Sequence, residues 1–207
     1  MKYKLTDRDG YTRRGGYNET LWGENVTHTA IGKGHSLCSD EVIHYYDSPE
    51  IAAFMNPIHA DIKNPICWEC KGKSVANKGL KGGCKKLTTL KQVNLPEISI
   101  TQRVEIAIRL SLLFCIDKKY IKWANDWLDN KDRTARAADD ARAAVYAAHT
   151  ATYAVYTAPA AAAAAAATAT YAVYTAAHTA TYAAAYVTDK KITKLIKSVL
   201  AKGGEKE

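Results

Sequence analysis

The sequence predicts an α+β protein: a small strand-rich N-terminal domain, then helices, with an alanine-rich antiparallel helical region towards the C-terminus. Three observations predict it. Short alternating or apolar runs separated by glycine-rich turns fill residues 1–98. Helical texture with a capping signal begins at Ser99. From Ala143 to Thr188 the chain then runs forty-six residues without a formal charge, dominated by alanine, the residue of highest helix propensity. These shifts divide the chain into a head domain at 1–98, connecting helices at 99–131, and an Ala/Tyr/Thr-rich helical hairpin with a terminal amphipathic helix at 132–203.

In order along the chain, KYKLT alternates at period two and reads as a strand, and RDGYTRRGG is turn chemistry in which Gly10, Gly15 and Gly16 supply positive φ. VIHYY (42–46) is a short apolar strand. Ser48 as N-cap, Pro49 in the first position and Glu50 in the first turn open a helix over IAAFM, which Pro57 is expected to close after barely two turns. ICWECKGK (66–73) and CKKLTTLKQV (84–93) flank a glycine-rich connection and suggest an antiparallel pair. Ser99 with Gln102 forms a capping box ahead of an apolar helix. In the next helix Tyr120, Trp123, Ala124, Trp127 and Leu128 share one side. Asp132, Arg136 and Asp140, spaced by four, support a further helix start.

Within the alanine tract TATYAVYTA occurs at 150–158 and again at 168–176, an offset of five helical turns, and Pro159 interrupts the continuity. Tyr146, His149, Tyr153 and Tyr156 form one stripe, and Tyr171, Tyr174, His178, Tyr182 and Tyr186 a second. Such a surface needs covering, by packing within the chain or by self-association. A membrane span fits poorly with nine Thr, seven Tyr and two His between 143 and 188. Ile192, Leu195, Ile196, Val199 and Leu200 then mark an amphipathic helix stopped by Gly203.

The chain has 207 residues, 24% charged and 47% hydrophobic, which excludes collagen-like, disordered and disulfide-scaffold classes. MKYKLTDRDG has no apolar signal core, so a cytoplasmic location is expected. Five cysteines, an odd count, fit reduced thiols. The net charge of +8 is spread along the chain, with one concentration at Lys71, Lys73, Lys78, Lys81, Lys85, Lys86 and Lys91. No arginine or aromatic residue stands among these lysines, so nucleic-acid binding is weakly supported. Solvated hairpin edges or a phosphate-bearing ligand, contacted by Lys71, Lys73, Lys81, Lys85 and Lys86 with Trp22 and Tyr45, are the competing readings.

Catalytic signatures are sparse. CWEC (67–70) lacks a second cysteine pair and lies in a strand pattern, so no metal site is expected. No phosphate-loop, dinucleotide or nucleophile-elbow motif is present, and no cofactor is expected. WGENVTH (22–28) and VIHYY offer Glu24, His28 and His44 as acid–base candidates if they converge; the alternative is that both histidines serve the core or the turns.

These segments carry a resemblance. KYKLTDRDGYTRRGG, WGENVTH, MNPIHADIKNPICWEC, GLKGGCKKLTTLKQV and KWANDWLDNKDRTARA are similar to an uncharacterised phage and prophage protein family that joins an N-terminal domain of unknown function to an alanine-rich helical tail. The similarity spans about residues 2–140. It departs at SDEVIHYY, where a Gly-Trp-Leu-His-like run is expected, and at Cys70, where the family pattern has an apolar residue, which further weakens a metal role for CWEC. It implies a phage or prophage origin and an accessory or host-interaction role, including counter-defence. The missing catalytic signatures and the alanine-rich tail lead to a protein that acts by binding a host protein or a small anionic ligand and is multimerised by its tail. The alternative is a small or degenerate nucleotide- or ADP-ribose-directed enzyme of ADP-ribosyl-transferase-like type.

Overall fold

In the computed structural model, residues 1–77, 80–113, 118–138, 140 and 189–203 are described. The alanine-rich tract, with the tyrosine and histidine stripes expected to form its interface, lies outside them. The element order is β1 (Lys2–Thr6), β2 (Tyr11–Thr12), β3 (Thr20–Leu21), β4 (Thr27–Thr29), β5 (Ile43–Tyr45), α1 (Pro49–His59), β6 (Ile66–Lys71), β7 (Ser74–Asn77), β8 (Gly82–Cys84), β9 (Lys86–Val93), α2 (Ile100–Ser111), α3 (Lys118–Leu128) and α4 (Asp189–Gly203). The chain is α+β, strand-rich first and helical after. Its contacts divide it into two units, Met1–Glu97 and Ile98–Glu207.

In the first unit one long hairpin supplies strands to two sheets. Its outer half, β6 and β9, forms the antiparallel sheet β1-β6-β9-β4; its inner half, β7 and β8, joins the sheet β5-β8-β7. The break falls at Gly72 and Lys85, between the paired segments. A Cβ on Gly72 would stand 2.6 Å from the Lys86 carbonyl oxygen, so only glycine lets the two arms come this close where they change sheet. Register shifts beside Cys70 and between Ser74 and Ala76 add bulges on either side of the bend, the local device by which strands curl. Tyr3 and Tyr46 exchange two backbone hydrogen bonds at 2.8 Å, linking the free edge of β1 to the end of β5.

That curl decides what alternation along a strand means. In β1, Leu5 is buried and α1 packs against the strand. The opposite row, Lys2, Lys4 and Thr6, points towards the aromatic side: Lys2 Nζ lies 4.6 Å from the centre of the Tyr45 ring, Lys4 Nζ lies 4.9 Å from that of Trp22, and Thr6 accepts a hydrogen bond from Trp68 Nε1 at 3.0 Å. Trp22, Tyr45, Cys70, Cys84 and Leu87 form the buried cluster there. Cys67 and Cys70 face opposite sides of β6 and both are buried, so burial pushes each thiol up to about 12.

Helix α1 begins as the sequence predicts, with Ser48 Oγ accepting from the Ile51 amide at 3.3 Å. It does not end at Pro57 but runs on to His59. Asn56 provides the stop: its carbonyl accepts from the amides of Ala60 and Asp61, and its side chain both donates to and accepts from the backbone of Ile62. Of the three turn glycines, Gly10 and Gly15 take positive φ and Gly16 does not; Arg13 and Asn18 adopt it instead.

In the second unit the Ser99–Gln102 capping box is present in both directions, at 2.9 and 3.1 Å. Helix α2 packs on α3 and α4. Tyr120, Trp123, Ala124 and Trp127 of α3 are buried, as are Ile192, Ile196 and Val199 of α4, which follows the predicted stripes. Asp132 does not pair with Arg136. Its carboxylate accepts from the amide and hydroxyl of Thr134, and Thr134 caps the helix start through the Ala137 amide. A local side chain-to-backbone bond costs less ordering entropy than an exposed i,i+4 ion pair. Among the described residues no helix is long and apolar enough to cross a membrane.

Gly82 tests the bent hairpin. A Cβ at this position would overlap the Cζ–hydroxyl end of Tyr45, and Tyr45 is 1% exposed with its hydroxyl bonded to Ser74, so that end has little room to give. Gly82→Ala is expected to lower stability by about 2–3 kcal/mol, read as a lower urea midpoint of the full chain at unchanged slope.

Candidate functional site

Two adjoining cavities open on the inward row of β1. The larger, of about 420 Å³, is walled by Trp22, His28 and His44 together with Lys4 and Arg13. The smaller, of about 320 Å³, shares Lys4, Thr12, Arg13 and His44 with it and adds Cys38, His59 and Lys81. Lys4, Arg13 and Lys81 thus all line the smaller cavity, and among the described residues no Asp or Glu lines it. Glu19 and Asp40 line only the larger one.

Each side chain is placed by its own element. Lys4 stands at the middle of β1 and donates to the His44 carbonyl at 3.5 Å; it makes no ion pair among the described residues. Burial pulls its ammonium down to about 8, with the Arg13 charge adding to the effect and the Cys70 thiol opposing it. Arg13 is exposed, in the left-handed conformation of the β2–β3 turn. Arg14 beside it is paired with Asp7 and Asp9 instead. Trp22 is locked: its indole N–H donates to Thr12 Oγ1 at 3.2 Å and its edge meets the His28 ring, with centroids 4.6 Å apart.

The histidines differ. His28 Nε2 donates to the Leu21 carbonyl at 2.8 Å, which ties β4 to β3. His44 Nε2 accepts the Cys38 amide at 3.0 Å, so a neutral ring carries its proton on Nδ1. Burial, then the charges of Lys81, Lys4 and Arg13, hold His44 down to about 4. Burial, then Lys81 and His44, do the same for His59, which stacks on Tyr46 at 6.0 Å. The buried Nδ1 of His59 has no hydrogen-bond partner among the described residues. Two neutral imidazoles and three cations therefore share one space.

The structure brings Trp22, His28 and His44 to one cavity. Glu24 is exposed, beyond the lining of either cavity, so the acid–base set does not converge as a trio. Of the five lysines singled out, Lys81 alone reaches a cavity; Lys71, Lys73 and Lys86 are exposed elsewhere on the hairpin. Lys85 is committed to the fold, donating to the carbonyls of Gly32 at 2.9 Å, of Glu41 at 2.7 Å and of Gly34. Tyr45 is buried, and its hydroxyl donates to Ser74 Oγ at 2.8 Å. Sequence reasoning missed Lys4, Arg13 and His59, which lie far apart in the chain and carry no local motif.

Fold and site together define a small α+β protein with a cavity lined by three basic and, among the described residues, no acidic side chains, beside an aromatic-walled one. No family model matches the chain, and no curated protein or solved structure matches it.

The neutral histidines set a pH dependence. In the folded chain His44 and His59 stay neutral down to about 4, whereas their ordinary value is 6.5. As pH falls through that window the unfolded chain takes up protons and the folded chain does not, so stability is lost between about 6.5 and 4 and is unaffected by these rings above it. Urea midpoints of the full chain at pH 7, 5.5 and 4.5 should fall in that order, and His44→Gln with His59→Gln should flatten the trend. The Lys85 ammonium gives a second expectation. Lys85→Met strips three carbonyls of a charged donor and should lower stability by about 2–3 kcal/mol, measured the same way.

Proposed function

We propose that this chain is a phage-type accessory protein that works by binding, and that its N-terminal unit takes a small anionic, phosphate-bearing ligand. One observation carries the reading: Lys4, Arg13 and Lys81 line a cavity to which, among the described residues, no acidic side chain contributes. Like charges held together without a counter-ion repel, and the strain is relieved by an anion that they share. The two histidines lining the cavity, held neutral by burial first and by neighbouring charge second, add ring nitrogens for hydrogen bonding. The larger cavity, walled by Trp22 and His28, has room for the uncharged part of such a ligand.

The phage context and a host-cytoplasmic location rest on the resemblance of residues 2–140, and multimerisation rests on the composition of the alanine-rich tract. A nucleotide- or ADP-ribose-directed enzyme is the second reading. It is favoured by His44 standing on the wall of both cavities, and weakened by the outlying position of Glu24.

Calorimetric titration of the full chain with inorganic pyrophosphate and with ADP-ribose tests the proposal. Binding of either is expected, and Arg13→Gln or Lys81→Gln should each weaken it about 10–100-fold, the equivalent of one charge-assisted hydrogen bond. No heat with either ligand, or variants that bind as the parent does, would sink it. Light scattering on the same chain should show an oligomer; a monomer removes the multimerising tail.

A further inference from the structure

The amine of Lys4 lacks what a lysine in a folded protein ordinarily has. It makes no ion pair among the described residues, and the hydrogen bond it does make is to a backbone carbonyl at 3.5 Å. It lies at the junction of two cavities rather than in solvent. The groups that face it are Arg13 from the β2–β3 turn, the Trp22 ring, His44 from β5 and the Cys70 thiol from β6. Of these, Arg13 carries a like charge, and burial holds His44 neutral and Cys70 a protonated thiol. The Trp22 face and the His44 carbonyl favour the ammonium, but none of these groups is a carboxylate. Burial with the Arg13 charge outweighs them, so a share of Lys4 stands as the free amine, which is a nucleophile.

We propose that Lys4 captures the aldehyde of a small phosphate-bearing ligand as an imine, while Arg13 and Lys81 hold the phosphate. This deepens the anion-binding reading and rests on it. The lone pair of Lys4 Nζ adds to the carbonyl carbon, and the carbonyl oxygen takes up a proton to give a carbinolamine. The nitrogen then loses a proton, the hydroxyl leaves as water, and the C=N bond forms. One water is released and nothing is oxidised or reduced. Water supplies and takes up the protons of addition and dehydration, the hydroxyl leaving with one of them as water. His44, with its proton on Nδ1, its Nε2 held by the Cys38 amide and its ring on the wall of both cavities, is placed to donate a hydrogen bond to the carbonyl and carbinolamine oxygen. The depressed titration of Lys4, at about 8, supplies free amine at a pH where a solvated lysine, near 10.4, is almost wholly charged.

The test uses the full chain with pyridoxal 5′-phosphate, a phosphate-bearing aldehyde, and with 5′-deoxypyridoxal as its phosphate-free counterpart, which also cannot close to a hemiacetal. Each is added below stoichiometry at pH 8 and fixed with borohydride, and the adducts are mapped by peptide mass spectrometry. The expected result is an adduct concentrated on Lys4, at least tenfold greater with the phosphate form, suppressed by excess inorganic pyrophosphate, and half-maximal near pH 8. Adducts scattered over exposed lysines such as Lys71, Lys73 and Lys86, or equal labelling by the two aldehydes, overturn the proposal. The pyrophosphate titration separates the two readings. If pyrophosphate binds and the adducts scatter, the imine falls and the anion site stands; if pyrophosphate does not bind, both fall.

Discussion

The N-terminal unit depends on one hairpin being bent rather than flat. A straight β6–β9 ribbon would hold the edges of β1 and β5 apart and leave both open, an arrangement prone to edge pairing. Bending it at Gly72 and Lys85 turns β7 and β8 across, lets β5 pair with β8, and brings Tyr46 to within two hydrogen bonds of Tyr3. The bend requires backbones closer than side chains permit. That is why Gly72, Gly82 and Gly83 sit where a Cβ would strike the Lys86 carbonyl, the Tyr45 ring and Val42 respectively.

The curl also changes the electrostatic meaning of the first strand. A lysine on a flat sheet would reach water and keep its charge at little cost. Lys4 instead stands between two cavities, over an indole and under a carbonyl, with Arg13 close by and no carboxylate paired to it. Desolvation and like-charge repulsion then act on the same amine, and burial, with Lys81 adding its charge, keeps His44 and His59 neutral. Lys85 shows the opposite outcome for an equally basic residue. Three carbonyls of the 32–41 loop surround its ammonium, so its charge is used up in folding and is not offered to a ligand.

Local signals were the legible part of the chain. The Ser48 cap, the Ser99–Gln102 box, the α3 stripe and the α4 stripe are written within four or seven residues of one another, and the structure realises each of them. Where local rules competed, the structure chose between them. Helix α1 ran through Pro57 and was stopped at His59 by Asn56, which binds Ile62 with its side chain, and Asp132 took the nearby Thr134 in place of Arg136. The candidate site was only partly legible. Trp22, His28 and His44 stand out in short aromatic–histidine runs, whereas Lys4, Arg13, His59 and Lys81 are ordinary residues in four separate segments.

By itself, then, the sequence determined the α+β class, the positions of the caps and the apolar stripes, because these follow from backbone geometry and side-chain period over a turn or two. Tertiary structure decided which lysine is a strut, which is a solvated surface charge and which is a buried amine. The physical reason is that desolvation and Coulomb interaction act through space over a few ångströms, between groups that the chain separates by tens of residues and that only the curled sheet brings together.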